Sequence, residues 1–537
     1  MAKQQTYTFE EAFKASIEYF GGDELAAKVW VNKYAVKDSF GNIFEKTPDD
    51  MHWRIANEVA RIEARYKNPI SAEELHDLFK GFKHIVPQGS PMTGIGNDFQ
   101  IASLSNCFVI GNDGAADSYG AIIRIDEEQV QLMKRRGGVG HDLSHIRPAG
   151  SPVKNCALTS TGVVPFMERY SNSTKEVAQD GRRGALMMSI SINHPDSEDF
   201  IDSKMEQGRI TNANVSVRIS DEFMQSVKEG KPFVQKYPVD SDNPLYTKEI
   251  DAKRLWNKII HNAWQSAEPG VLFWDTITRE SIPDCYADLG FKTLSTNPCG
   301  EIPLCAYDSC RLLAMNLYSY VENPFTPKAR FNAELFGRHV AIARRMMDDI
   351  IDLELIMADV EMVERRIDKA TKAAKGDKKF LKEVEVFKGL LAWLNDGKSA
   401  RSYDCTDDER EIIATSDLLT LKPVIYAANL DEDGFANYEG VAYYNQVTER
   451  AAGENATVIP VCAKLEAEIA ELEGEERAMF LEDLGITESG LDRLVKASYT
   501  LLGLISYLTS GEDECRAWTI TRGTKAPQAA GKIHSDF

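Results

Sequence analysis

The sequence that most constrains this chain is Asn297-Pro298-Cys299-Gly300-Glu301. Proline and glycine are poor residues for a helix interior, so the segment is predicted to be extended or looped. Alternate side chains of an extended segment point to the same face, which would bring the Asn297 amide, the Cys299 thiol and the Glu301 carboxylate together. These three groups would form a small catalytic set. A turn that holds one buried cysteine is the alternative interpretation of the same residues.

The composition of the whole chain argues against several classes of protein. Its 537 residues predict about three or four domains with a sizeable core. A formal net charge of -21 argues against a broad non-specific grip on nucleic acid. No apolar run is long enough to span a membrane, and the polar opening lacks a signal-peptide core. We therefore predict a cytoplasmic protein with no membrane partner.

The cysteines favour redox chemistry over a structural role. Nine irregularly spaced cysteines do not resemble a secreted disulfide framework, and they indicate reactive thiols in a reducing compartment. Zinc is a competing use for Cys299, Cys305 and Cys310. Because no C-x-x-C pair occurs in the chain, we predict no metal site.

The hydrophobic pattern changes along the chain. Near the start, Phe9, Phe13, Ile17 and Phe20 follow helical spacing, which predicts a small helical domain with an aromatic core. From Pro87 onward, short apolar runs between glycines alternate with helical stretches. This alternation is typical of an α/β layer or barrel.

Two glycine-rich pieces of the α/β region have two interpretations each. They are Gly137-Gly138-Val139-Gly140 and Gly181-Arg182-Arg183-Gly184. Each either forms a tight turn or directs backbone N–H groups toward an anion.

The pattern changes again near residue 354. Apolar residues between 356 and 374, and again between 380 and 394, follow alternating four- and three-residue steps. The polar turn Lys375-Gly376-Asp377-Lys378 separates the two runs. We therefore predict an antiparallel coiled-coil hairpin with arms about 28 Å long.

Three cysteine-bearing segments resemble one known family. Residues 295–304 and 308–317 are similar to the finger loop of ribonucleotide reductases and to the strand that follows it. Residues 104–109 resemble the family's other redox position. The short spacing between Cys299 and Cys310 resembles the adenosylcobalamin-dependent class II enzymes.

This resemblance extends from about residue 5 to about residue 354. It implies an α/β fold in which the finger loop threads a ten-stranded barrel made of two half-barrels. Residues 96–354 would form only the first half-barrel.

The resemblance also implies a reaction, the thiyl-radical reduction of the ribose 2′-carbon of a ribonucleoside di- or triphosphate. Cys299 would carry the radical, Glu301 would accept the 3′-hydroxyl proton and Asn297 would hydrogen-bond the ribose. Cys107 and Cys310 would supply two electrons and end as a disulfide. Adenosylcobalamin would supply the radical, and a thioredoxin-like protein would reduce the thiols again.

Binding residues follow from the same resemblance. Ser105 and Asn106 would contact the ribonucleotide substrate. A dNTP or ATP effector would bind two loops, and the enzyme would be a homodimer. The basic side chains of those loops are Arg182, Arg183, Lys204 and Arg209.

A second resemblance begins at the helical hairpin. Residues 418–429 are similar to the Obg-related YchF-type ATPases. Asn429-Leu430-Asp431-Glu432 resembles their altered base-recognition motif, Asn-x-x-Glu, and Cys462-Ala463-Lys464 stands where they have a second base-contacting loop. The resemblance implies that Asn429, Glu432 and Lys464 contact a nucleobase, and that this region meets ribosomes.

The phosphate-binding motif of those ATPases, G-x-x-x-x-G-K-[ST], does not occur in the chain. The nearest string, Asp396-Gly397-Lys398-Ser399, follows a predicted helix instead of opening one. Without the cradle of N–H groups and its lysine, we expect neither tight triphosphate binding nor hydrolysis.

The chain thus resembles the front of one protein joined to the back of another at about Leu353–Ala358, either as a gene fusion or as an assembly artefact. With a coiled coil in place of the second half-barrel, we expect weak or no reductase turnover. The alternative is a binding module whose lysines between Lys369 and Lys382 contact a ribosome. The predicted domains are an N-terminal helical domain (1–95), a half-barrel with finger loop (96–354), a coiled-coil hairpin (355–402), a partial YchF-type G-domain segment (403–508) and a truncated β-grasp (TGS) domain (509–537).

Overall fold

The structure is a computed structural model, and its contacts divide the chain into two compact units, Met1–Glu354 and Leu355–Phe537. Each unit is described separately below. The described residues are 5–111, 117–154, 156–179, 182–206, 208–453, 456–470, 472, 474–486, 488–510 and 515–533.

The first unit opens with short helices, as the spacing predicted. Thr8 and Glu11 form a reciprocal capping box at the start of the first helix, which fixes where that helix begins. The predicted aromatic core is wrong, because Phe9 is exposed and stacks on Phe13, while Ala12 and Ser16 are buried. The elements are α1 (Phe9–Tyr19), α2 (Glu24–Lys33), α3 (Pro48–Glu63), α4 (Ala72–Phe79), β1 (Ile85–Pro87) and α5 (Gly89–Gly94).

Strands and helices then alternate, as expected for an α/β region. The elements up to the sheet edge are β2 (Cys107–Val109), α6 (Tyr119–Lys134), β3 (Gly138–Asp142), α7 (Val164–Glu176), β4 (Ala178–Gln179), β5 (Arg182–Arg183), β6 (Leu186–Ser191), α8 (Ser197–Asp202), β7 (Asn214–Ile219), α9 (Asp221–Glu229), β8 (Pro232–Tyr237), β9 (Tyr246–Asp251), α10 (Ala252–Ser266), β10 (Gly270–Phe273) and α11 (Trp274–Glu280).

The main sheet has six strands in the order β10-β7-β6-β3-β2 and then the short strand β13 (Ser309–Cys310). The first five strands are parallel, and β13 pairs antiparallel with β2. Every residue of β3 and β6 is buried, which is the pattern of a parallel strand covered on both faces. The sheet supports an α/β assignment, and the ten-stranded barrel remains a prediction.

The remaining strands of this unit are short. The hairpin that carries the segment 297–302 consists of β11 (Thr293–Thr296) and β12 (Pro303–Cys305), which pair antiparallel. The other strands are β14 (Leu313–Met315), which pairs with β1, and the mutual pair β15 (Val321–Glu322) and β16 (Arg330–Phe331).

The next helix, α12 (Ala333–Ala374), is 42 residues long and therefore about 63 Å in length. The predicted start of the first arm near residue 356 is too late, because helical structure begins at Ala333. The heptad signal reports a packing stripe and not the end of a helix, so the long helix extends well beyond it. The second arm, α13 (Phe380–Asn395), agrees with the predicted range.

In the second unit, Arg366 of α12 forms an ion pair with Glu383 of α13 and lies 5.8 Å from the Phe387 ring. A β-α-β segment follows, in which β17 and β18 pair in parallel. The elements are α14 (Asp407–Ala414), β17 (Ile425–Asn429), α15 (Glu432–Ala436), α16 (Ala442–Gly453), β18 (Thr457–Val461), α17 (Ala463–Ala470), α18 (Gly474–Asp483), α19 (Gly490–Leu501), β19 (Leu504–Ser510), β20 (Cys515–Thr521) and α20 (Ala526–Ile533).

The last two strands, β19 and β20, form an antiparallel hairpin. Among the described residues of the chain, no helix is both long and apolar enough to cross a membrane.

Candidate active site and nucleotide-binding site

The segment 297–302 is a tight turn at the tip of the β11–β12 hairpin. The Asn297 N–H donates to the Ile302 carbonyl at 3.0 Å, and the Gly300 N–H donates to the Asn297 carbonyl at 3.0 Å. The Ile302 N–H also donates to the Asn297 side-chain oxygen at 3.0 Å. Gly300 has φ +86°, a left-handed conformation that favours glycine.

This turn corrects the prediction that three functional side chains share one face. Asn297 is fully buried, whereas Cys299 and Glu301 are exposed. Because the left-handed Gly300 reverses the chain, the alternation of an extended strand does not hold here. The amide therefore lies inside the protein, while the thiol and the carboxylate lie at its surface.

Cys107 and Cys310 lie directly opposite each other, on β2 and β13. Both are buried reduced thiols. The Asn297 amide donates to the Cys107 sulfur at 3.8 Å, so the turn that carries Cys299 also contacts this pair. Cys107 is about 190 residues from Asn297 in the sequence, and the fold brings it beside both Asn297 and Cys310.

The two thiols titrate as a coupled pair. The hydrogen bond with Cys310, together with burial, raises the pKa of the Cys107 thiol. The same hydrogen bond lowers the pKa of Cys310. Cys310 is therefore the thiol of the pair that ionises first. The thiolate is the form that attacks in thiol–disulfide exchange, so Cys310 is the better placed of the two to begin it.

Ser105 and Asn106 lie beside the thiols. The buried Ser105 hydroxyl donates to the Glu354 carboxylate at 2.8 Å, and Arg311 donates to the same oxygen at 2.9 Å. The Asn106 side-chain oxygen accepts from the Leu312 N–H at 3.4 Å. Both predicted substrate contacts are thus engaged with the protein itself in this structure.

Glycines of β3 let the loop approach the sheet closely. A Cβ at Gly140 would lie 1.9 Å from the Thr296 carbonyl oxygen, and one at Gly138 would lie 2.7 Å from the Pro298 ring. The glycine cluster 137–140 is therefore neither a tight turn nor an anion loop, because residues 138–140 belong to a central strand. A glycine inside a strand pattern signals such an approach, and that signal was available in the sequence.

A buried polar network joins the sheet to β11. Arg218 forms an ion pair with Asp142 at 3.0 Å and lies 3.8 Å from the Trp274 ring. Asp142 accepts from the Ser189 hydroxyl at 2.9 Å, and that hydroxyl lies 3.1 Å from the Ser295 hydroxyl. Burial opposes ionisation of Asp142, but Arg218 and hydroxyl donors outweigh it and hold its pKa below the usual value. The charges of Arg218 and Asp142 thus compensate each other, and the network links them through Ser189 to β11, the strand before the loop.

Of the predicted effector residues, the structure describes the side chains of Lys204 and Arg209, and the cavity that Arg209 lines does not include Lys204. The Lys204 ammonium donates to the Ala213 carbonyl at 2.6 Å and pairs with Glu268. Arg209 pairs with Glu168 and lines a cavity of about 590 Å³. Arg182 and Arg183 form β5, and their side chains lie outside the described part of the structure.

A second cavity, of about 470 Å³, lies where α6 and α7 begin, and the sequence reasoning missed it. Its lining includes the aromatic rings of Tyr119 and Phe166 and the cations Arg147 and Lys154. Helix N-termini carry partial positive charge and unpaired N–H groups, so this cavity suits an anion with an aromatic part. The available signal was Ser118, which caps α6 in the expected way.

In the second unit the three predicted base contacts do meet. Asn429, Glu432 and Lys464 line one cavity of about 540 Å³ between the ends of β17 and β18. The Asn429 side-chain oxygen accepts from the Ala463 N–H at 3.0 Å, and Lys464 pairs with Glu432. The carboxyl ends of parallel strands are a usual place for a ligand.

No group of three or more histidine, cysteine or acidic side chains suited to a metal ion occurs among the residues that the structure describes. Cys107 lies opposite Cys310 in the main sheet, whereas Cys305 lies opposite Thr293 in the β11–β12 hairpin.

Family models match three regions of the chain. Residues 20–92 match "Ribonucleotide reductase, all-alpha domain", and residues 105–372 match "Ribonucleotide reductase, barrel domain". Residues 504–537 match the YchF C-terminal model, described as "Protein of unknown function (DUF933)".

Curated relatives divide in the same way. A "Ribosome-binding ATPase YchF" of Bacillus subtilis is 52% identical over 202 residues, which cover 37% of this chain and 55% of the relative. A "Vitamin B12-dependent ribonucleoside-diphosphate reductase" of Thermoplasma acidophilum is 26% identical over 472 residues, covering 76% of this chain and 59% of the relative. The corresponding Mycobacterium tuberculosis enzyme is 29% identical over 334 residues, covering 61% and 45%. The chain spans about half the length of the curated relatives it matches.

The fold and the site define a two-part α/β protein, with a buried thiol pair under a cysteine-bearing turn in one unit and a base-sized cavity in the other. With the matches, the assignment becomes specific. The front of the chain belongs to the ribonucleotide reductase family, and its final segment is similar to the C-terminal domain of the YchF proteins.

The two likenesses overlap instead of meeting at one residue. The barrel match continues to residue 372, past the expected limit near 354. The Bacillus match covers 202 residues, more than the 183 residues from Leu355 to Phe537, so it begins before Leu355. The overlap falls within α12.

Proposed function

We propose that this chain reduces ribonucleotides to deoxyribonucleotides by thiyl-radical chemistry. The observation that carries the proposal is the buried Cys107–Cys310 pair, which the Asn297 amide links to the turn bearing Cys299. Two adjacent thiols can deliver two electrons and close to a disulfide without a large movement of the backbone. The names of the reductase relatives support a ribonucleoside diphosphate as substrate.

Each residue would then have one role. Cys299, as a thiyl radical, would take the 3′-hydrogen atom of the ribose, and Glu301 would accept the 3′-hydroxyl proton. The 2′-hydroxyl would leave as water with one thiol proton, and the second thiol hydrogen would go to C2′ as Cys107 and Cys310 close to a disulfide. Cys299 would then return the 3′-hydrogen atom and Glu301 the 3′-hydroxyl proton, which restores the thiyl radical. Asn297 would hold the ribose only after its amide releases Cys107, because that amide is engaged in this structure.

Adenosylcobalamin is the cofactor that the B12-dependent relatives imply. Exposure of Cys299 fits this group, since a bulky cofactor has to reach the sulfur directly. When bound, it supplies a cobalt–carbon bond that breaks to give the initiating radical.

The effector, if it is a nucleotide, would bind the cavity at the starts of α6 and α7. Lys154 and the two helix N-termini would attract its phosphates, while Tyr119 and Phe166 would stack on its base. This site replaces Lys204 and Arg209 as our preferred effector contacts, because both are already paired with carboxylates.

The test is formation of deoxyribonucleotide from purified chain, adenosylcobalamin, a dithiol and CDP or CTP. We expect weak or no turnover beside an intact family member, because in this sequence a predicted coiled coil follows the first half-barrel in place of the second. Cys299→Ala should abolish product, whereas Cys285→Ala, which removes another exposed thiol, should not. Product formation that survives Cys299→Ala contradicts the proposal.

A second candidate function, nucleotide binding by the second unit, is supported by the cavity of Asn429, Glu432 and Lys464. We propose that it binds an adenine nucleotide through the base and does not hydrolyse it, since the phosphate-binding motif is absent. Calorimetry should show similar affinities for adenosine and ATP.

Lys464→Met should weaken that binding about tenfold, while Lys496→Met, at an exposed ion pair elsewhere, should leave it unchanged. Tight binding of ATP but not of adenosine would mean that phosphate contacts dominate, contrary to the proposal. Co-sedimentation with ribosomes, with and without residues 356–394, tests the ribosome contact that the YchF relatives suggest.

A further inference from the structure

A cluster of buried charges joins α3 to the front part of α12, away from the thiols. Arg345, Asp349 and Asp352 lie on one face of α12, spaced four and three residues apart. Arg345 pairs with Glu63 at the end of α3, Asp352 pairs with Arg65 just beyond it, and Asp349 lies close enough to Glu63 for the two carboxyl groups to interact. All five residues belong to the first unit.

The charges of the cluster do not balance. Arg345 pairs with Glu63 and also donates to the Asn68 carbonyl at 2.9 Å, and Arg65 pairs with Asp352. Each arginine therefore has its own carboxylate. Asp349 is the third carboxylate and is left without a cation of its own.

Asp349 is also fully buried, and so is Glu63. Neither Asp349 oxygen has a hydrogen-bond donor, and one Glu63 oxygen likewise lacks a donor, while the other accepts from the Ile70 N–H at 2.9 Å. Three orphaned carboxylate oxygens in a dry site would be strongly destabilising if both groups were ionised. One proton shared between the two carboxyl groups removes one negative charge and forms a hydrogen bond that satisfies two of the three oxygens.

We propose that Asp349 and Glu63 share one proton at neutral pH, and that this proton stabilises the contact between the front part of α12 and α3. The contact therefore weakens as the pH rises. A proton fits the site better than a divalent cation, because two arginines already lie beside the carboxylates. The Tyr66 ring also contacts the cluster, at 4.6 Å from the Arg345 guanidinium.

Burial, with the nearby Glu63 charge, raises the pKa of Asp349 to about 8. The closed contact therefore holds a proton that an opened, solvated Asp349 would release near pH 4. The proton stabilises the closed contact fully when the pH is below the pKa of the opened, solvated Asp349. This stabilisation is lost as the pH rises to the pKa of Asp349 in the closed contact. The opening constant should increase about tenfold per pH unit up to about pH 8 and then level.

The direct test is infrared spectroscopy of the whole chain. The carbonyl stretch of a protonated carboxylic acid should be present at neutral pH and disappear with a midpoint near pH 8. Asp349→Asn should remove that band and still fold, because its amide can donate to Glu63. Asp348→Asn, at the neighbouring half-exposed position, should leave the band unchanged.

Hydrogen exchange gives a second readout. After correction for intrinsic exchange, amides of residues 343–352 should open about 50-fold more often at about pH 8 than at about pH 6 in the wild-type chain, because Asp349 is half-titrated at the upper pH. In Asp349→Asn this rise should vanish, and in Asp348→Asn it should remain. A wild-type chain without the acid band at neutral pH, or with pH-independent opening, overturns the proposal. Restoration of protection by Mg²⁺ at alkaline pH would identify a cation site and overturn it too.

Discussion

Gly140→Ala tests whether close contact with the sheet determines the position of the Cys299 turn. The added Cβ would lie 1.9 Å from the Thr296 carbonyl oxygen, and real Cβ contacts are essentially never below 3.0 Å. Strands β3 and β11 would therefore have to separate by at least about 1.1 Å, and the atom that must move is backbone, not a flexible side-chain tip. Overpacking of this kind costs about 1–3 kcal/mol, and the backbone contact favours the upper end of that range.

The cost can be measured by urea unfolding, with the reactivity of Cys299 toward a small alkylating reagent as a report on the turn. Gly337→Ala is the matched control, because Gly337 lies in α12 with nothing within 4 Å of the added methyl group. That control should be neutral or slightly stabilising. If Gly140→Ala loses less than about 0.5 kcal/mol and alkylates Cys299 at the wild-type rate, the contact does not position the turn.

Three further predictions concern stability. Burial lowers the pKa of His52 to about 4, so the free energy of unfolding should fall by about 3 kcal/mol as the pH falls from about 6.5 to about 4. In His52→Leu, the free energy of unfolding measured in urea should depend less on pH in that window. Arg218→Met should cost about 3–5 kcal/mol in urea unfolding, because Asp142 would remain as a buried charge without the Arg218 cation; a near-neutral result would show that water reaches it. Asp359→Ala should cost about 2–4 kcal/mol in thermal or urea unfolding of the second unit, because three hydrogen bonds to Leu419 and Thr420 would be lost; a change below 1 kcal/mol would contradict this.

Local features of the chain were predictable because local residues determine them. The helical spacing of the opening segment predicted helices there, and short apolar runs between glycines predicted strands of an α/β region. The second arm of the hairpin was predicted within a residue or so. Asn429, Glu432 and Lys464 were grouped correctly because each follows a strand whose carboxyl end lies at the same edge.

Other features depended on contacts that local patterns do not encode. The spacing of Phe9 and Phe13 was helical, yet Phe9 is exposed and Phe13 is only partly buried, because the helix packs through Ala12 and Ser16. The alternation at 297–301 failed because Gly300 is left-handed and closes a turn.

The sequence by itself determined which chemical groups are present. It contains thiols, a carboxylate and an amide in segments that resemble those of a radical reductase, residues that resemble the base-recognition motif of a second family, and no match to the phosphate-binding motif of that second family. Only the tertiary structure decided how they meet. Cys107 and Cys310 become neighbours because β13 pairs with β2 at the edge of a sheet whose strand order differs from chain order. The glycines of β3 are required because β11 and the turn after it approach them closely, which only the tertiary structure shows. Side-chain chemistry is a property of single residues, whereas proximity across hundreds of residues is a property of strand order and packing.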